Sequence, residues 1–172
     1  MTTQDIELQL THANEALDDG DPKKALGAYD RILTALPTLT EAVIGKARAL
    51  IGLGHVDNAI ALLNSIELTS AGSNAWLVQL AYGEVAAARR DWARAEQHFR
   101  NVLEKRSGSV TAIAGISDSL CMRGSAKVAE AVVREALLVQ SQEPMLWGSL
   151  ATSLRYQGRH LDALRESAAG LR

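Results

Sequence analysis

The chain has 172 residues, a net charge of −2 and a hydrophobic content of 47%. Such a content is sufficient for a folded core, while the scattered Lys and Arg residues form no basic stripe and argue against nucleic acid as a partner. No apolar run reaches the roughly 18 residues of a membrane-spanning helix, and Met1 to Leu10 lacks the features of a signal peptide. Cys121 is the single cysteine, which excludes an intramolecular disulfide and favours a cytoplasmic location.

Small residues recur along the chain with a period of 34 residues, lengthened once to 36. One column consists of Ala25, Ala59, Ala95, Ala129 and Ala163, and a turn column beside it consists of Gly20, Gly54, Arg90, Gly124 and Gly158. The period predicts one array over residues 1–172, made of units at about 6–39, 40–73, 76–109, 110–143 and 144–172. The two additional residues, near Gly72 and Ser73, predict a longer loop between the second and third units.

The first two units have helical patterns on both sides of a turn. Gly20 ends the first helix, Asp21 is a candidate N-cap, and Pro22 suits the first position of the next helix. Residues 43–51 then place their apolar side chains on one helical face. Each unit is therefore predicted to be a pair of helices joined by a tight turn.

The last three units repeat this pattern with local changes. Arg90 stands where the other turns have glycine, which predicts a strained or differently built turn. Asp91 and Ser125 are candidate caps. The chain stops at Arg172 inside the last predicted helix, so we expect an apolar end surface there, formed by Leu161, Leu164 and Leu171.

No catalytic or metal-binding pattern is found. The four histidines lie in different units without a second ligand at metal spacing, and no nucleophile is paired with a base. Cys121 is expected to be a buried side chain, and the three tryptophans are expected to serve packing. The sequence therefore predicts a protein that is not an enzyme and that has no metal and no cofactor.

The repeat resembles the tetratricopeptide repeat. The residues that carry the resemblance are Ala25, Tyr29 and Pro37 in the first unit, Tyr82, Gly83, Ala95 and Phe99 in the third, and Trp147, Leu150, Ala151, Leu154 and Ala163 in the fifth. The resemblance implies an all-α fold, a right-handed α-solenoid of stacked antiparallel helix pairs. It also implies a protein-protein interaction scaffold that binds a peptide or a partner protein in a concave groove lined by the first helix of each pair.

Matching positions across the units gives the expected groove residues. They are Leu10, Asn14, Glu41, Ile44, Arg48, Leu77, Leu80, Glu84, Asp118, Met145 and Thr152. Acidic groups outnumber Arg48 in this set, so we expect a ligand with apolar anchors and basic flanks. A chaperone-tail clamp of the kind known in this family is disfavoured, because Leu10 stands where its lysine would be.

Two alternatives to a free-standing scaffold remain open. The chain could be the substrate-recognition arm of a larger enzyme, such as a sulfotransferase or a glycosyltransferase, in which related repeats occur. It could also assemble into a homo-oligomer through its apolar C-terminal end.

Overall fold

The computed structural model of the protein describes residues 3–67 and 75–170. Within those residues it has ten α-helices and no β-strand, which confirms the predicted all-α class. The insertion near Gly72 and Ser73 lies outside the described residues. No helix in the described ranges is both long enough and apolar enough to cross a membrane.

The helices fall into two compact units, Met1–Arg89 and Arg90–Arg172. Unit 1 contains α1 (Thr3–Asp18), α2 (Pro22–Ala35), α3 (Thr40–Gly52), α4 (Val56–Glu67) and α5 (Ala75–Ala88). Unit 2 contains α6 (Trp92–Lys105), α7 (Val110–Met122), α8 (Ala126–Leu137), α9 (Pro144–Tyr156) and α10 (His160–Ala169). The predicted third repeat, 76–109, thus contributes α5 to unit 1 and α6 to unit 2.

Each unit is a stack of helices that are neighbours in sequence. In unit 1, α1 packs on α2 and α3 packs on α4, and α5 then packs on both α3 and α4. In unit 2, α6 packs on α7, α7 on α8, and α9 on α7, α8 and α10. Apolar side chains from consecutive helices form the cores, because each helix can bury its own apolar face only against its neighbours.

The turns follow the chemistry that the sequence predicts. Gly20 has a φ of 75°, and Asp21 then accepts a hydrogen bond from the backbone N–H of Lys24 at 3.0 Å. Arg90 also adopts a left-handed backbone, with a φ of 60°, so its turn is strained and retains the shape of the glycine turns. Asp91 caps α6 as predicted, whereas Ser125 occupies the N-cap position of α8 without a side-chain hydrogen bond.

The alanine column lies at the helix crossings. Ala25, Ala59, Ala95 and Ala129 have no exposed surface, and Ala163 is 4% exposed. A methyl group allows the two helices of a pair to approach closely, which a larger side chain at the same position would prevent.

A second column of small residues accommodates the large side chains of the preceding helix. A Cβ atom on Gly45 of α3 would lie 2.3 Å from Tyr29 Cζ of α2, and one on Gly115 of α7 would lie 2.4 Å from Phe99 Cε2 of α6. Where the large residue is the aliphatic Leu63, the corresponding position is Ala81. The size of each side chain is therefore matched between successive helices.

Candidate functional site

A cleft of about 270 Å³ opens in unit 1 on the side formed by α1, α3 and α5. Its lining consists of Leu10, Asn14, Glu41, Ile44, Gly45, Arg48, Trp76 and Leu77. The structure thus brings together six of the residues predicted for the groove. Four of the lining side chains are large and apolar, and the polar ones come from α1 and α3.

Gly45, which lines the cleft, lies in close contact with the side chain of Tyr29. Because Gly45 has no side chain, the buried Tyr29 ring lies against the α3 backbone and its hydroxyl donates a hydrogen bond to Asn14 Oδ1 at 2.6 Å. Burial raises the pKa of Tyr29 to about 12, despite the opposing charge of Arg48, so the hydroxyl remains a donor at neutral pH. Since this bond uses the amide oxygen of Asn14, the amide nitrogen can donate to a ligand.

An ion pair between α3 and α5 borders the cleft. Arg48 donates from Nε to Glu84 Oε2 at 2.8 Å and from Nη2 to Glu84 Oε1 at 2.7 Å, a two-point geometry that fixes both side chains. Burial acts to lower the pKa of Arg48, but its hydrogen bonds to Glu84 and the charge of that carboxylate raise it overall. Arg48 and Glu84 also line a second cleft of unit 1, of about 480 Å³.

The ion pair changes the charge balance expected from the sequence. Glu84 is neutralised by Arg48, so it does not add a free negative charge to the groove. Glu41 is exposed in the first turn of α3, and its carboxylate has no counter-ion among the described residues. The negative charge of the cleft is therefore concentrated at Glu41.

Trp76 is a lining residue that sequence reasoning assigned to packing alone. It is half-buried at the start of α5, beside Leu77. Its position directly before a predicted groove residue is the signal that could have identified it. Its indole is the largest apolar side chain among the lining residues.

The remaining predicted residues occupy other places. Leu80 is only 4% exposed and Ile44, although it lines the cleft, is only 3% exposed, so neither side chain offers much surface to a ligand. Asp118, Met145 and Thr152 belong to unit 2, on α7 and α9. Thr152 lines a separate cleft between α9 and α10, and Met145 is 51% exposed.

The candidates for chemistry have structural roles. Burial raises the pKa of Cys121 to about 11, with a smaller contribution from Asp118, so its sulfur is a thiol at neutral pH. Trp147 donates a hydrogen bond from Nε1 to the carbonyl of Ser141 at 2.8 Å. Among residues 3–67 and 75–170, no group of three or more His, Cys, Asp or Glu side chains could hold a metal ion.

Comparison with known proteins supports the interpretation of the repeat. A family model described as tetratricopeptide repeat matches residues 16–81, which include most of the cleft. A crystal structure of a thermophilic tetratricopeptide-repeat protein from Thermus thermophilus superimposes with a TM-score of 0.84 at 19% identity, over 96% of this chain and 90% of that one. The chain has the tetratricopeptide-repeat fold, and residues 16–81 match the sequence model of that repeat.

Other tetratricopeptide-repeat structures have a similar fold. A repeat protein from Parabacteroides merdae gives a TM-score of 0.78 at 18% identity, over 95% of this chain and 64% of that one. The MamA protein from Desulfovibrio magneticus gives 0.63 at 14% identity, over 96% and 93% of the two chains. No significant match to a curated protein was found. At these identities the likeness establishes the fold and does not transfer a partner.

Proposed function

We propose that this protein, with its tetratricopeptide-repeat fold, is a non-catalytic interaction scaffold that binds a peptide segment of a partner protein in the cleft of unit 1. The observation that carries the proposal is the convergence of the partly exposed Leu10, Trp76 and Leu77 from α1 and α5 around one cleft, with Glu41 of α3 at its edge. An apolar cleft with a few fixed polar groups is the usual form of a binding site.

The chemistry of the cleft defines the ligand. An aromatic or aliphatic anchor would bury its surface against Trp76 and Leu77, and the amide nitrogen of Asn14 would donate a hydrogen bond to a backbone carbonyl of the ligand. A Lys or Arg beside the anchor would pair with Glu41, whose charge has no counter-ion in the described part of the chain. The proposal therefore specifies an apolar anchor with one basic flank, and it includes a cytoplasmic location, in which a lone thiol stays reduced.

The test is a selection of peptides from a random library displayed on phage, performed with the wild-type chain and with Glu41→Lys. Wild type should enrich sequences with an apolar anchor next to Lys or Arg, and Glu41→Lys should lose that flank or exchange it for Asp or Glu. Glu104→Lys is the matched control, because Glu104 is exposed on α6 and does not line the cleft. Enrichment of acidic peptides by the wild type, or of the same peptides by both proteins, would contradict the proposal.

A further inference from the structure

A cleft on α9 and α10 is not covered by any element among residues 3–67 and 75–170. It has a volume of about 530 Å³ and is lined by Gly148, Ala151, Thr152, Arg155, His160, Ala163, Leu164 and Ser167 from α9 and α10. Leu164 is 68% exposed, and Leu161 beside it is 72% exposed, as the sequence predicts. Leu171 lies outside the described residues.

The repeat indicates what kind of element fits this cleft. Three repeats earlier in the chain, the corresponding positions on α3 and α4 include Ile51, Ala59 and Leu63. In unit 1 these residues belong to one apolar cluster with Val78, Ala81 and Val85 of α5, and α5 packs on both α3 and α4. The same face that is open on α9 and α10 is thus covered by a helix in unit 1.

In the described part of the chain, α1 has the matching face uncovered. Two repeats before α5, the positions of Val78, Ala81 and Val85 are occupied in α1 by Leu8, Thr11 and Glu15. All three are exposed, and Leu8 is 56% exposed although it is a large apolar residue. The outward face of α1 therefore presents the positions that α5 uses to pack on the preceding helix pair, with an acidic group towards its C-terminal end.

The charges on the two open faces are complementary. Arg155 is equivalent in the repeat to Ile51, and Glu15 is equivalent to Val85. Ile51 and Val85 belong to the same apolar cluster in unit 1. Neither Arg155 nor Glu15 has a side-chain partner within residues 3–67 and 75–170. If α1 covered α9 and α10 in the way that α5 covers α3 and α4, these two unpaired opposite charges would lie within the same contact.

We propose that the chain self-associates head to tail, with α1 of one copy docked on the α9–α10 face of a second copy. Leu8 and Leu164 supply apolar surface, and an intermolecular ion pair between Glu15 and Arg155 sets the register. Such a contact joins two different faces, so it generates rings or open chains rather than one closed dimer. The contact uses residues other than those lining the unit 1 cleft, and it stands independently of the peptide-binding proposal.

Sedimentation velocity over a wide concentration range tests the contact, with wild type, Glu15→Arg, Arg155→Glu and the double variant. We expect the mass of the wild type to rise with concentration, and each single charge reversal to weaken the association about tenfold or more through like-charge repulsion. The double variant, which restores the pair with exchanged signs, should recover most of the loss. Arg31→Glu and Glu104→Arg are controls for net charge, because both residues are exposed and lie outside the proposed contact.

Three outcomes would overturn the proposal. The first is a wild type that remains monomeric at the highest concentration reached. The second is a pair of single variants that associate like the wild type. The third is a double variant that associates no better than the single ones, since the α9–α10 face would then have a partner other than α1. Far-ultraviolet circular dichroism checks that each variant is folded.

Discussion

The contact between Tyr29 and Gly45 gives the sharpest prediction about stability. In Gly45→Ala the new methyl carbon would lie 2.3 Å from Tyr29 Cζ and 2.6 Å from its hydroxyl oxygen, well inside van der Waals contact, so the ring must move. Overpacking of this kind costs about 1–3 kcal/mol, and losing the hydrogen bond to Asn14 adds about 0.5–1.5 kcal/mol. The better helix propensity of alanine offsets about 1 kcal/mol. We expect a net loss of about 0.5–3.5 kcal/mol in the free energy of unfolding.

Chemical unfolding followed by circular dichroism measures this loss, and two further variants make the result specific. Gly27→Ala is the matched control, because Gly27 lies within α2 with no atom within 4 Å of an added Cβ, and it should stabilise the chain by about 0.5–1 kcal/mol. Tyr29→Leu combined with Gly45→Ala imitates the Leu63–Ala81 pair and should recover most of the loss. Gly45→Ala unfolding at the same denaturant concentration as Gly27→Ala would refute the reasoning.

Three further predictions concern other positions. Ala95→Leu should cost about 1–3 kcal/mol by overpacking a site with no exposed surface, and an unchanged thermal melt would contradict it. Arg90→Gly should stabilise the chain by about 0.5–1 kcal/mol because it relieves a left-handed backbone, so an unchanged or lower melting temperature would exclude stored strain. Although burial acts to raise it, the pKa of Glu130 is lowered by hydrogen bonds from Gln157 and Arg134. Its stabilisation is therefore present above about pH 4.3 and lost as the pH falls through the lowered pKa. Glu130→Gln should be less stable than wild type at neutral pH, and this difference should disappear as the pH falls through the lowered pKa, whereas a pH-independent difference would contradict this sign.

Features with a period of 34 residues were accessible from the sequence. The alanine column, the left-handed turns and the cap at Asp91 each depend on residues close together in the chain, so spacing alone predicts them. The lining of the unit 1 cleft follows from the same period, because equivalent positions on successive first helices face the same side. The single array of five units remains a prediction.

Features that depend on pairs of side chains from different helices were not accessible. The ion pair of Arg48 with Glu84 joins α3 to α5 and neutralises Glu84. Counting the charged residues one at a time therefore overstated the negative charge of the groove. Leu80 occupies a groove position by period but is buried, because the period fixes the direction of a side chain and not what covers it. A substitution such as Leu80→Arg would therefore disturb the core. Glu41→Lys probes the groove without this effect, because Glu41 is exposed and lines the cleft.

Amide chemical-shift mapping tests the central claim most directly. The isotope-labelled chain would be titrated with a peptide that has tryptophan and leucine anchors beside a lysine, and with a control peptide in which glutamate replaces the lysine. We predict shifts concentrated at residues 10–14, 41–48 and 76–77, saturable with the lysine peptide and strongly reduced in Glu41→Lys. Shifts concentrated on α9 and α10, or equal responses to the two peptides, would contradict the assignment of the unit 1 cleft as the binding site.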